Sequence, residues 1–236
     1  MSVAERCEEL AAAYGLPPGA AGRLEQLLAI LAAEPSSVTS VRDPELAAEI
    51  HVADSLTGLE VPELRGAAEI ADLGSGGGLP GLVLAVALPE SRVTLVESAG
   101  GKARFIGRTA AQLGLANTEV ASIRAEELED RGHFDAVTAR ALGPLAIVLE
   151  YAAPILREGG TLVAWKGALD PVEAQEGARA AAELGLSEPS WLPVREGAVR
   201  GAEHRHLVTA TKREPTPDQF PRRPGVARKR PLGSEA

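Results

Sequence analysis

Leucines at 24, 27, 28 and 31 in "RLEQLLAILAA" recur at i, i+3, i+4 and i+7, the spacing of one buried helix face. The stretch "DPELAAEIHVADSL" continues the helical period and opens on Asp43 as N-cap, with Pro44 at the first helical position. Helical spacing runs from Ala4 to about Leu59, which predicts a small N-terminal helical cap. From Ala67 the period changes. Five short β-like runs, AAEIADL, SRVTLVE, NTEVASI, FDAVTAR and GTLVAWK, alternate with helical segments such as "GKARFIGRTAAQLGL". Strand and helix in alternation predict an α/β fold, a parallel sheet covered on both faces. After Glu183, "SEPSWLPVR" and "HRHLVTATK" have no long helix between them. They predict a closing hairpin, antiparallel to the other strands. The expected division is a cap over 1–60, an α/β core over 61–213 and a basic tail over 214–236.

The stretch "IADLGSGGGLPG" (70–81) places Gly74, Gly76, Gly77, Gly78 and Gly81 between the first strand of the sheet and the helix after it. Open α/β sheets bind ligands at that carboxyl edge, and glycine lets the backbone turn sharply and approach a ligand closely. Two registers fit. Gly76, Gly78 and Gly81 match G-x-G-x-x-G, the dinucleotide fingerprint, with Glu97 placed for a ribose. Asp72, Gly74, Gly76 and Gly78 match D-x-G-x-G-x-G, a pattern that resembles class I methyltransferases, which bind S-adenosylmethionine. Both ligands carry an adenosine, so Glu97 separates nothing. Asp72 favours a cationic methionine moiety, because a carboxylate there repels pyrophosphate and can hold an amino group. Pro80 removes one N–H donor where a phosphate needs it.

Composition narrows the class. With 45% apolar and 24% charged residues, the 236-residue chain has the makeup of an ordinary folded protein. Its length is enough to bury roughly 70% of the unfolded surface. Cys7 has no disulfide partner and no His cluster offers metal-ligand spacing, so no metal is expected and a reducing cytoplasm is the expected location. Neither a signal-peptide pattern nor a long apolar span appears, so no membrane association is expected. The net charge of −9 argues against wholesale nonspecific nucleic-acid binding. Residues 212–236 nevertheless carry seven Lys/Arg against three Asp/Glu, and "FPRRPGVARKRPL" has five basic residues and three prolines that forbid a regular helix. On charge alone this is either a solvated, frayed terminus or a surface for an anionic partner.

Several separated segments together resemble the small-subunit ribosomal RNA methyltransferase G family, also called glucose-inhibited division protein B. They are "HVADSL" (51–56), "DLGSGGGLPGLVLA" (72–85), "ESAGGKARFI" (97–106), "RAEE" (124–127), "FDAVTARAL" (134–142), "PILREGGTLVAWKG" (154–167) and "TPDQFPRRPGVARKRPL" (216–232). The resemblance implies a class I S-adenosylmethionine-dependent methyltransferase: a Rossmann-like, mostly parallel seven-stranded sheet with the helical cap. It implies methyl transfer to N7 of a guanosine in 16S rRNA, with the small ribosomal subunit or its precursor as partner and a monomeric enzyme. Its cofactor residues map to Gly74, Leu79, Glu97, Ala125, Glu126 and Arg140. Asp72, Gly76 and Gly78 join them from the loop pattern. Leu79 stands where many members carry Phe, and Ala227 replaces a proline usual in the tail.

The chemistry asks little of side chains. Guanine N7 bears no hydrogen and attacks a sulfonium methyl without a base, so positioning carries most of the burden. The strand-four exit "TARALGPL" has no Asn-Pro-Pro-Tyr motif and needs none for this reaction. An arginine beside a cationic cofactor needs an anion, so Arg140, the candidate catalytic residue, is assigned to rRNA phosphate or an acidic pocket residue. A plain ion pair with Asp135 or Glu150 is the alternative. His51 and Asp54, three apart on one helix face, either point to the site mouth or serve packing, with packing favoured. RNA contacts are assigned to Lys102, Arg104, Lys166, Arg222, Arg223, Arg228, Lys229 and Arg230, with a solvated helix face or strand end as the plainer account of the first three. Two rival functions remain at this point: an NAD-dependent oxidoreductase, and a noncatalytic RNA-binding or assembly factor on a methyltransferase scaffold.

Overall fold

The computed structural model of the chain describes residues 1–35, 38–41, 43–200 and 204–234. Helix α1 (Val3–Tyr14) begins with a reciprocal capping box between Ser2 and Glu5 and stops at Gly15, whose φ of 62° closes the last turn. Helix α2 (Ala20–Ala33) buries the four periodic leucines, 24, 27, 28 and 31. Asp43 accepts from Leu46 N at 2.7 Å and starts α3 (Pro44–Ala47).

The helix expected over 43–56 then changes character. Residues Ala48–Ala53 form a π-helical turn, with Asp54 N bonding back to Glu49 O, before α4 (Asp54–Leu56) resumes the α geometry. Apolar spacing does not register one widened turn, which is common near functional sites. The turn buries Glu49 against the Arg6 guanidinium at 2.7 and 2.8 Å, and buries His51 and Asp54 on the side of the sheet edge. A 3-10 turn (Thr57–Glu60) and α5 (Pro62–Arg65) lead into the sheet.

The sheet has seven strands in the order β3-β2-β1-β4-β5-β7-β6. These are β1 (Glu69–Leu73), β2 (Arg92–Val96), β3 (Thr118–Ala121), β4 (Phe134–Arg140), β5 (Leu156–Lys166), β6 (Ser190–Pro193) and β7 (His206–Thr211). The first five are parallel; β7 inserts antiparallel between β5 and β6. Helices α6 (Gly81–Ala87), α7 (Gly100–Gln112), α8 (Leu145–Ala152) and α9 (Pro171–Glu183) alternate with the strands. The order reverses between β1 and β4, and that switch point opens a crevice at the carboxyl edge.

Each face of the sheet buries its own apolar cluster. One cluster joins cap residues such as Leu27 and Leu56 to Ile70, Leu82 and Trp165; the other holds Val137, Leu149 and Tyr151. The cap is fastened to β5 by Trp165, whose Nε1 donates to Asp54 O at 2.7 Å and to Thr57 Oγ1 at 3.1 Å. Gly58 makes room for this ring: a Cβ there would stand 2.5 Å from Trp165 Cζ2.

The tail is not a frayed terminus. Phe220, Ala227 and Leu232 are buried in the second cluster, Arg131 donates to Phe220 O, and Gly225 leads into a single helical turn, α10 (Val226–Lys229). The prolines do limit the helix to that turn, but three apolar residues among the charges supply enough burial to dock it. Among the described residues, no helix is long and apolar enough to cross a membrane.

Gly58→Ala is expected to force the Trp165 ring aside and destabilise the fold by about 1–3 kcal/mol. The change should be read as a lower urea midpoint at unchanged m-value.

Candidate functional site

The glycine turn takes its shape from a carboxylate beneath it. Asp72, at 0% exposure, accepts from Gly81 N at 3.1 Å and from Thr138 Oγ1 at 2.9 Å, so it ties β1 to the start of α6 and to β4. Burial raises its pKa, against the lowering effect of hydrogen bonds from Ser75, Thr138 and Gly81 and of the Arg140 charge. Gly81 has to lack a side chain here, because a Cβ would lie 2.7 Å from Leu95 Cδ2 and 2.8 Å from Asp72 Oδ2. The expectation that Asp72 holds a ligand's amino group is therefore corrected. It is fully buried and does not line the cavity above the turn, and the sequence pattern D-x-G-x-G-x-G does not separate a ligand contact from a support of the loop.

Above the turn lies a cavity of about 630 Å³, lined among others by Gly74, Ser75, Gly76, Gly77, Leu79, Glu97, Lys102, Ala125, Glu126, Arg140 and Arg228. Its volume falls in the range of small-molecule and cofactor sites, about 300–1,000 Å³. Gly76 has φ +60°, and a Cβ on it would have only Gly74 O within 4 Å, at 3.8 Å. It is an open cradle that only backbone borders. Gly78, expected to border the ligand, instead bends the chain at φ +87° against Leu82, where a Cβ would lie 2.8 Å from Cγ. It shapes the loop and does not line the cavity.

Glu97 follows β2 and accepts from Gly76 N at 2.9 Å and Ala99 N at 2.7 Å. Each carboxylate oxygen retains a second lone pair for a further donor. Ala125 and Glu126 begin a 3-10 turn after β3. Glu126 Oε1 accepts from Tyr151 Oη and Gly225 N, both at 3.0 Å, and burial together with this carboxylate pushes the Tyr151 phenol up to about 12. The tail thus reaches the cavity wall through Gly225 and Arg228.

Arg140 ends β4. Its Nη1 donates to Ile50 O at 2.9 Å, Asp54 Oδ2 at 2.9 Å and Ser55 Oγ at 3.2 Å. The alternative partners are excluded by their own bonds: Asp135 accepts from Ala68 N, Glu69 N and Arg157, and Glu150 is held by Arg222. Of the two outcomes foreseen for His51 and Asp54, both occur, since His51 lines the cavity while Asp54 is buried as the Arg140 partner.

His51 Nε2 lies 2.8 Å from Thr39 Oγ1, and its Nδ1 is buried without a hydrogen bond among the described residues. Burial, helped by the Arg140 charge, lowers the imidazole to about 4, so it is neutral near pH 7.

The basic residues divide. Arg222 is corrected as an RNA contact: its backbone N and Nε donate to Glu150 Oε1 at 3.0 and 2.9 Å, and Glu150 is fully buried. A buried carboxylate has to be neutralised, and sequence does not reveal that the acid lies 72 residues away. Lys166 Nζ is likewise engaged, by Glu173 Oε1 at 2.6 Å and Gly143 O at 2.8 Å. Arg104, Arg223, Arg228, Lys229 and Arg230 are exposed, and Lys102 is at the cavity. The sequence missed Thr39, Leu142 and Tyr151 as lining residues. Thr39 and Tyr151 lie outside the segments that carry the resemblance, whereas Leu142, at the end of FDAVTARAL, and Ser75 and Gly77, inside the glycine run, were accessible from them. No group of three metal-ligating side chains occurs among the described residues.

Sheet order, glycine turn and crevice define the S-adenosylmethionine-dependent class I methyltransferase fold. Solved structures agree: one, the apo form of the S-adenosylmethionine-dependent methyltransferase SibL, superposes with a TM-score of 0.60 at 14% identity, covering 90% of this chain and 70% of that one. A SAM-dependent O-methyltransferase from Thermotoga maritima superposes at 0.54 with 19% identity, covering 80% and 71%. The chain belongs to the family described as rRNA small subunit methyltransferase G, whose model matches residues 23–205. Proteins named ribosomal RNA small subunit methyltransferase G from Rubrobacter xylanophilus and Deinococcus radiodurans are 42% and 41% identical. These alignments cover 84% of this chain and 77% of the first relative, and 88% and 83% for the second.

Because His51 titrates near 4 when folded and near 6.5 when unfolded, its neutral form supports the fold fully above pH 6.5 and that support is lost as pH falls toward 4. The loss should reach roughly 3 kcal/mol. Urea unfolding at pH 6.5 and 4.5 should show a smaller difference for His51→Gln than for the unaltered protein.

Proposed function

We propose that this protein transfers the methyl group of S-adenosylmethionine to N7 of a guanosine in 16S rRNA of the small ribosomal subunit. Family membership supports the reading, and the observation that carries it to this chain is the cavity over Gly74–Gly77, bordered by backbone on one side and by Glu97 on the next strand. The residues present fit the cofactor. Among the lining residues, Glu97 would offer free lone pairs to ribose hydroxyls, the turn at Ala125 and Glu126 would border the adenine, and Leu79 would supply an apolar wall where an aromatic ring is usual. When bound, the cofactor supplies an electrophilic methyl on a sulfonium.

The protein's part is orientation. Gly76 lets backbone come close to the ligand without a side chain between them, Gly77 leaves room for the cap at Val38 O, and Asp72 fixes the course of the turn from below. The positive charge of Arg140 is offset by Asp54 at 2.9 Å, which answers how an arginine stands beside a cationic ligand. Guanine N7 presents a lone pair and no proton, so no side chain in the cavity has to act as a base. The neutral His51 and the Tyr151 phenol, held well above pH 7, are consistent with that economy. Exposed Arg223, Arg228, Lys229 and Arg230 on the docked tail, with Lys102 and Arg104 on α7, are the proposed phosphate contacts around the opening. This reading places the protein in the cytoplasm, with ribosomal particles.

S-adenosylmethionine at 100 times its dissociation constant should stabilise the fold by about 2.7 kcal/mol, and NAD should not. Small subunits lacking the modification should gain one methyl group, located on a guanine by mass spectrometry; absence of transfer from a donor-binding protein would refute the enzyme reading and favour a noncatalytic role.

A further inference from the structure

Beside the donor cavity lies a second compartment of about 260 Å³, sharing Arg140, Ala141 and Leu142 with it as a common wall. Its lining also includes Lys166 and Arg205, three cations in all, and no carboxylate. Lys166 is neutralised by Glu173. The other two arginines meet at one acid. Asp54 has a side-chain exposure of 2%; its Oδ2 takes Arg140 at 2.9 Å, and its Oδ1 lies 3.8 Å from Arg205 Nε. That Oδ1 is buried and has no hydrogen bond among the described residues.

Two guanidiniums share one carboxylate, so the group as a whole carries a positive excess. The Arg205 side chain is 31% exposed, and its backbone is fixed by Val194 N donating to Arg205 O at 2.9 Å. The next residue, His206, contacts Gly167 O at 2.9 Å through Nδ1 and pairs in register with Lys166. Arg205 is therefore set by the end of the sheet and not by a free loop. Ala141, on the shared wall, has φ 56°, a left-handed conformation rare for a side-chain-bearing residue and often retained at functional sites.

We propose that Arg205 and Arg140, spaced by Asp54, form an anion site for the phosphodiester of the nucleotide that receives the methyl group. The inference rests on the RNA reading above. Guanidinium forks suit phosphate oxygens, and the compartment adjoins the donor cavity without containing it. Asp54 acts here as a positioning residue, carried by the cap and locked to β5 through the Trp165 bond to its carbonyl. Arg205 does not line the donor cavity, which makes its effect separable from donor binding.

The test uses the full chain, tritiated S-adenosylmethionine and small ribosomal subunits lacking the methyl group. Arg205→Gln should raise KM for the particles about tenfold, with donor affinity within about twofold of the unaltered protein by calorimetry. The log–log salt dependence of particle binding should flatten by about 0.7. Arg205→Lys should retain the salt slope but not the KM, because it keeps the charge and loses the fork. Asp54→Asn leaves the Arg140 charge unmet at the donor cavity and should therefore weaken donor binding as well as raise KM, so the Arg205 variants, which do not touch that cavity, decide the proposal. Arg205→Gln with unaltered KM and salt slope overturns the proposal, as does a fold-loss of donor affinity equal to the fold-rise in KM. An unaltered protein that transfers no methyl refutes the RNA reading itself, and the binding arm still decides Arg205 separately.

Discussion

A carboxylate buried at the end of the first strand governs the centre of this molecule. Asp72 receives the Gly81 amide and the Thr138 hydroxyl, so one side chain joins a strand, its neighbour and the first turn of the following helix. A buried acid left without those donors would carry a heavy desolvation penalty, and this fixes the course of the backbone between 73 and 81. The positive φ angles of Gly74, Gly76 and Gly78 follow from that course. The cavity is in this sense the upper surface of a polar network whose lower surface is sealed.

The same logic recurs at the rim. Glu49, Asp54 and Glu150 are buried acids, each met by an arginine from a distant segment: Arg6, Arg140 and Arg222. Each pair joins pieces that apolar contact alone would leave free to slide, namely the first helix to the widened turn, the cap to the fourth strand, and the tail to the eighth helix. Breaking such a pair is far more disruptive than its net contribution to stability implies, because the survivor is left charged and unsolvated.

Periodicity made most of the architecture legible. The leucines of α2, the Asp43 cap, the five parallel strands and the closing hairpin are present, because burial on one face or on two leaves a direct trace in residue spacing, although only β7 of that hairpin runs antiparallel to the other strands and β6 runs with them. The glycine turn and Glu97 were legible for the same local reason. Long-range polar pairing was not. Nothing near Arg222 in sequence announces Glu150, and nothing near Arg140 separates Asp54 from Asp135 as its partner. The role of Asp72 was misread because a strand-end acid looks alike from above and below. The docking of the tail was hidden by its charge, which masks the few apolar residues that bury.

Order of synthesis gains a meaning from the tail's position. Arg228 lines the cavity and Gly225 N donates to Glu126 in its wall, yet both emerge from the ribosome only after all seven strands have been made. A nascent chain can therefore assemble its sheet while that wall is still missing, and the finished cavity appears only once the polypeptide has been extended past its own core.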